Sequence, residues 1–433
     1  METEMIDPVI DWGPVKDLTK NIIKVVGVGG GGCNAVANMY TEGVAGVTFA
    51  ACNTDSKSLS INPVAKKIML GKAGLGAGAD PEKGRAEAEQ SVEELRKLFQ
   101  DSTQMAFVVA AMGGGTGTGA GPLVAKVAKD MGLLTIGIVT LPFYFERRPK
   151  IIKALKGLDE MRKNVDALLV INNEQICKVY SDSHITVDDS LQLADNVMCN
   201  AVRSISELIT VTGKIQTDFS DVKTTMKNGG GAVMAIGRAS GENRVQNAVL
   251  NALDSPLLYG SDINKATRIL FNIYTSSACP MYVDELEEIS AFMDELNPNI
   301  DVIWGLATDD SLDEDAKITI LATGFDNSLP AVVHNIDSDE AYDKIIEELY
   351  GRRERKAAKT AERQNVEPEF MVQVAPDEPV SIEEIPDQPI EENDVEEQEE
   401  KTPDGYVDPA KGFLERVRNR IMQGLQILTS TDD

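Results

Sequence analysis

Two runs of glycine and one pair of aspartates are the residues of this chain whose types and spacing could do chemistry. The first run, Gly27-Val28-Gly29-Gly30-Gly31-Gly32-Cys33-Asn34, is entered from the apolar Ile22–Val26 and left through Ala35–Met39. The second, Gly113–Gly119 with Thr116 and Thr118 inside it, follows the apolar Met105–Ala111. Strand, glycines, helix is the order that sets an anion on a helix N-terminus, where free N–H groups and the helix dipole favour negative charge. Gly27, Gly29 and Gly32 also satisfy G-x-G-x-x-G, so a Rossmann oxidoreductase is a rival reading of the first run. That rival has no need of the second run, whereas two glycine turns at the carboxyl ends of strands in one sheet can face a single polyphosphate. No G-x-x-x-x-G-K-[ST] occurs, which excludes the P-loop class. Asp218 and Asp221 lie three apart, on one face at the start of a helix. Their spacing alone suits an N-cap at Asp218 and a favourable dipole charge at Asp221.

The elements that must position these groups alternate. Ile22–Val28, Val47–Ala51, Lys67–Leu70, Met105–Ala111, Leu133–Thr140 and Ala167–Ile171 read as buried strands, with helices between them at Glu82–Phe99 and Gly121–Met131. The alternation predicts a doubly wound, Rossmann-like parallel sheet with helices on both faces. Leu191, Ala194, Met198, Ala201, Ile205 and Leu208 step by three or four and predict one long central helix with a single buried stripe. A second α/β set follows in Ala232–Ile236, Gly241–Leu253, Arg268–Tyr274, Met281–Leu296, Val302–Ala307 and Ile318–Gly324. The expected organisation is a flexible segment over 1–20, a nucleotide domain over 21–187, the central helix over 188–211 and a second domain over 212–327. A trailing segment over 328–360, an acidic disordered linker over 361–404 and a terminal peptide over 405–433 complete it.

Charge and cysteine content narrow the classes further. With 42 Lys and Arg against 70 Asp and Glu, the chain carries −28, which argues against a nucleic-acid binder that must neutralise phosphates. Half of that charge sits in Glu367–Glu400, where 14 acids stand with no Lys or Arg. Five scattered Cys without a Cys-x-x-Cys fit reduced thiols and not a disulfide framework or zinc site. The acidic start offers no secretory signal and no stretch reaches ~18 apolar residues, so a cytoplasmic chain without a transmembrane anchor is expected. Phe413, Leu414, Val417, Ile421, Leu425 and Leu428, interleaved with Lys411, Arg416, Arg418 and Arg420, predict an amphipathic terminal helix.

The second glycine run resembles the tubulin signature loop, and with the first it resembles the bacterial cell-division GTPases of the FtsZ family. Asn53-Thr54-Asp55, Gly76–Pro81 with Gly84-Arg85, Leu141–Glu146, Ala239–Arg244, Ser255–Leu258 and Ile320–Gly324 are similar to family blocks in order, over roughly Ile22 to Phe325. The resemblance implies a tubulin-like fold, GTP hydrolysis and self-assembly. By it, Gly29, Gly30, Gly31, Gly32, Cys33 and Asn34 hold phosphates, as do Gly113, Gly114, Gly115, Thr116, Gly117, Thr118 and Gly119. Asn53, Ala79 and Asp80 complete the rim, Glu146 meets the ribose with Lys150 (usually Arg) four residues on, and Asn173 and Asn196 (often Asp) read guanine. Gln216, Asp218 and Asp221 stand in the pattern Asn-x-Asp-x-x-Asp, with Gln for its Asn; by resemblance they enter the pocket of the next subunit, where the aspartates orient or polarise the attacking water and Gln216 touches the γ-phosphate region or its cation. Magnesium on the phosphates is implied, with potassium as a further candidate, and no side chain is singled out as a metal ligand. So are head-to-tail filaments, a place at the midcell division ring, and membrane-tethering and regulatory division proteins that read residues 405–433. A non-hydrolysing scaffold, and a terminal helix that packs back on the globule, are the remaining alternatives.

Overall fold

The computed structural model describes residues 22–179, 186–210, 213–215, 218–255, 263–325 and 339–350. Gln216, the acidic linker and the terminal peptide lie outside the described residues.

Val- and Ile-rich runs become strands here because both of their faces are covered. Among the described residues the strands are β1 (Ile23–Val28), β2 (Val47–Asn53), β3 (Lys66–Met69), β4 (Met105–Ala111), β5 (Leu134–Leu141), β6 (Ala167–Asn172), β7 (Gly213–Ile215), β8 (Gly230–Ala239), β9 (Arg268–Thr275), β10 (Asp301–Thr308) and β11 (Ala316–Phe325). The helices are α1 (Gly29–Thr41), α2 (Ser56–Ile61), α3 (Pro81–Glu89), α4 (Val92–Leu98), α5 (Thr116–Asp130), α6 (Arg148–Lys163), α7 (Asn173–Val179), α8 (Val187–Thr210), α9 (Phe219–Met226), α10 (Arg244–Leu253), α11 (Val283–Glu295) and α12 (Asp339–Tyr350).

The strands form one sheet in the order β3-β2-β1-β4-β5-β6-β8-β11-β9-β10-β7. Its first six strands are parallel and run in the doubly wound order expected of a Rossmann-like half. Successive residues of one strand serve opposite faces: Val25 belongs to the core shared with α1, α8 and α9, whereas Val26 belongs to the core shared with α4, α5, α6 and α12. Ala194, Met198, Ala201, Ile205 and Leu208 of α8 are all buried, which bears out the stripe along the central helix. Beyond β6 the sheet is mixed, since β11 lies antiparallel to both β8 and β9. The seam between the two parts is short: β6 meets β8 through Ala167↔Gly230, Leu168↔Gly231 and Leu169↔Ala232.

Two expected helices differ most from those that form. Glu82–Phe99 is two helices, because the Ser91 hydroxyl accepts from Gly71 N (2.9 Å) and donates to Met69 O (3.3 Å), tying the break to the end of β3. The helix expected from Gly121 starts at Thr116, so half of the second glycine run is already helical. The second part has its own core, in which Phe271 and Phe292 stack at 5.6 Å with neither exposed. Phe271→Ala should destabilise the chain by about 3–5 kcal/mol in urea unfolding, the usual cost of an aromatic-sized cavity.

Candidate functional site

Glycine is required where α1 and α5 begin, because their backbones touch. Gly29 sits at φ +74°, and a Cβ there would lie 2.6 Å from Gly117 N. A Cβ on Gly32 would meet Val109 O at 2.2 Å, one on Gly117 would meet Ala111 O at 2.5 Å, and one on Gly119 would meet Pro81 O at 1.9 Å. These contacts hold the two helix starts and the Gly76–Pro81 loop together at the carboxyl edge of the parallel strands. Gly30 and Gly114 differ: a Cβ on either meets no heavy atom within 4 Å among the described residues. Neither α1 nor α5 has a side-chain cap on its first turn, which leaves N–H donors for an outside acceptor. Thr118 Oγ1 accepts from Gly113 N at 2.8 Å, and the Thr54 and Thr116 hydroxyls are 2.6 Å apart.

The expected rim gathers at the same edge. Asn53 is buried at the end of β2, and its Oδ1 accepts from Asp55 N at 3.3 Å. Ala79 holds a left-handed backbone (φ 58°), its carbonyl accepts from Lys153 Nζ at 2.8 Å, and Asp80 caps α3 by accepting from Glu82 N at 3.0 Å. Glu146 accepts from Phe143 N at 3.0 Å and pairs with Lys150. Register places Asn172 opposite Leu141, so Asn173 stands at this edge too. Asn173 is buried, and its Oδ1 finds no hydrogen-bond partner among the described residues. Asn196 is exposed on α8, whereas its neighbour Asp195 is pushed up to about 6 by burial and accepts from Asn38 Nδ2 at 2.9 Å. Cys33 faces the core beneath α1, where burial pushes its thiol up to about 12, so it is no thiolate nucleophile at neutral pH.

Sequence reasoning passed over three of these supports: Thr54, Lys153 and the Asn38–Asp195 pair. Only Thr54 carried a signal, as part of the Asn53-Thr54-Asp55 block.

The aspartates stand apart from the glycines. Asp218 N-caps α9, its Oδ1 accepting from Ser220 N (2.7 Å) and Asp221 N (3.0 Å), while Asp221 Oδ2 accepts from Asp218 N (2.9 Å). The reciprocal capping box is the local reading of this spacing, and it leaves Asp218 exposed. At its other end α9 is fixed beside Asp166, which precedes β6 and so lies at the amino edge, across the sheet from the glycines. The structure therefore assembles the glycine runs, Asn53, Ala79, Asp80, Glu146, Lys150 and Asn173 at one edge and does not bring Asp218 and Asp221 to them.

Comparison with known proteins places this geometry. The family model described as Tubulin/FtsZ family, GTPase domain matches residues 22–181, and that described as FtsZ family, C-terminal domain matches 230–326. A cell division protein FtsZ from Porphyromonas gingivalis is 48% identical over 309 residues, 70% of this chain and 67% of that one. One from Aquifex aeolicus is 41% identical over 307 residues, 70% of this chain and 83% of its own. An empty FtsZ dimer from M. jannaschii superposes with a TM-score of 0.65 at 38% identity, over 71% of this chain and 89% of that one. The protofilament-forming CetZ2 of Haloferax volcanii, at 20% identity and TM-score 0.62, shares the fold. The matched family models and the fold together define a GTPase of the tubulin-like class. Within that class, the chain belongs to the FtsZ family.

Gly32→Ala should lower the melting temperature, since overpacking costs roughly 1–3 kcal/mol, whereas Gly30→Ala should leave it unchanged or slightly higher. For Asp195, the raised carboxyl means the folded state holds its proton longer than the unfolded chain. Its contribution to stability therefore falls as pH rises from about 4 towards about 6 and stays lost above. Asp195→Asn, which can still accept from Asn38, should flatten that part of the melting-temperature profile.

Proposed function

We propose that this chain is a GTP-dependent, self-assembling protein of the bacterial division ring that hydrolyses GTP at the joint between successive copies. The observation that carries the reading is the pair of uncapped helix starts, packed backbone to backbone, with Gly30 and Gly114 left uncrowded. Such a cradle fits a polyphosphate: the first-turn amides of the two glycine runs, those of Gly29–Gly31 and Gly114–Thr118, donate, with the Thr116 and Thr118 side chains beside them. Asn53, Ala79 and Asp80 border it, and Glu146 with Lys150 meets the ribose. The unpartnered Asn173 Oδ1 can accept from the N–H groups of guanine and would find no such donors on adenine at that position. Asn196 is the second guanine contact, at the exposed face of α8.

Among the described residues no group of three or more His, Cys, Asp or Glu converges for a metal. A magnesium ion on the phosphates would neutralise charge that builds up in phosphoryl transfer; potassium is a further candidate.

Asp218 and Asp221 supply what the cradle lacks. Carboxylates on a capped helix, Asp218 exposed and Asp221 half-buried, held at the far edge, suit a second copy stacked head to tail, whose cradle they would complete with Gln216. There they orient and polarise the attacking water, so assembly starts the reaction and loss of the γ-phosphate weakens the joint. Heterologous stacking gives open filaments. Residues 405–433 would carry contacts to membrane-tethering and regulatory division proteins at midcell; among the described residues no helix is long and apolar enough to cross a membrane.

Turnover per subunit should be near zero in dilute protein and rise above a threshold concentration; a constant value at all concentrations would falsify the shared site. Asp218→Asn keeps the helix cap and removes the charge, so melting should hold while turnover drops by about 100-fold or more. Asn173→Ala should narrow the preference for GTP over ATP in equilibrium binding.

A further inference from the structure

The seam between β6 and β8 contains a buried charge that the reaction does not touch. Asp166 immediately precedes β6, and its side chain is 0% exposed. Its backbone N donates to Thr135 O at 2.7 Å and its carbonyl accepts from Gly230 N at 3.0 Å, so it joins the starts of β5, β6 and β8. Its Oδ2 accepts from Thr135 N at 3.0 Å. Its Oδ1 accepts no hydrogen bond among the described residues, and is compensated by charge: Lys227 Nζ lies at 3.0 Å and Lys129 Nζ at 4.0 Å.

Lys227 is the C-cap residue of α9, the helix whose N-cap is Asp218. Other polar contacts at that end come from the second half of the sheet. Arg268 Nη1 donates to Thr224 O (3.1 Å) and Lys227 O (3.4 Å), and Thr323 Oγ1 donates to Thr225 O (2.7 Å). The ion pair alone among these reaches into the nucleotide half, across a seam of three residue pairs. From Lys227 to Asp218 the helix measures roughly 13 Å, so a tilt of about 10° at its anchored end moves the carboxylates by about 2 Å.

We infer that the Lys227–Asp166 ion pair positions α9, and through it Asp218 and Asp221, relative to the nucleotide half of the same chain. Lys227 is a positioning residue. In a stack each chain presents its cradle on one side and its carboxylates on the other, so the pair sets how both can fit their neighbours at once. The inference rests on the shared-site reading above. A bare charge attraction, with no aligned hydrogen bond to Oδ1, makes the positive charge the essential property of Lys227, and another cation of similar reach should substitute for it.

The test uses the full chain and three readouts: GTP affinity in dilute protein, threshold concentration for turnover, and plateau turnover per subunit. Lys227→Met should keep the GTP affinity of the parent and lose about tenfold in plateau turnover, the scale expected when reacting groups are displaced without being removed. Lys227→Arg should recover most of it. Lys227→Gln gives a second uncharged variant should the Met form fold poorly, with the same split expected. An unchanged plateau in both uncharged variants overturns the inference, as does a loss of GTP affinity that matches the loss of turnover. Failure of Arg to recover what Met loses overturns it as well. The parent measured alongside separates the two claims: concentration-independent turnover in the parent removes the shared site, and the positioning role with it.

Discussion

Everything else in this molecule depends on two helices starting against each other with no side chains between them. Gly29 against Gly117, and Gly32 against Val109, bring main chain to main chain at distances that any Cβ would forbid. The result is a pair of helix N-termini whose donors converge at one sheet edge. Their positive dipole ends lie close together, an arrangement that an anion between them stabilises. The parallel order of the first six strands makes the convergence possible, because neighbouring carboxyl ends place both helix starts on the same side.

The glycines fall into two kinds with different consequences. Most are packed and hold the cradle's shape; Gly30 and Gly114 are open and set its surface. Sequence alone treats them as one run. Their separation comes from tertiary packing by Val109, Ala111 and Pro81, which no local pattern announces. Asn173 illustrates the same limit: its residue type stands in the sequence, but the burial that leaves Oδ1 without a hydrogen bond among the described residues is a property of the folded edge.

What was legible had a period or a fixed order. The stripe along α8 follows from steps of three and four, and the strand–glycine–helix order of both runs reads directly from residue type. The break at Ser91 was not legible, because its hydroxyl is used by Gly71 and Met69 at the end of a distant strand. Asp166 and Lys227 look like ordinary charged residues in the sequence and meet only once β6 and β8 are paired. The Asp218/Asp221 spacing permitted both a capping box and a reactive pair, and the box is formed. A capped and exposed carboxylate is also well prepared to serve a neighbour, since its orientation is set before the neighbour arrives.

The division of the proposed site between two edges is the central claim, and mixing two defective chains tests it most directly. Asp218→Asn retains an intact cradle; a chain with a bulky residue at Gly30, such as Gly30→Leu, retains intact carboxylates. Each alone should turn over little GTP. Mixed in equal amounts, they should hydrolyse GTP faster than the sum of the two measured separately, because some joints then pair a sound cradle with sound carboxylates. Turnover that stays at that sum over a range of concentrations at which the parent is active would contradict a site shared between subunits.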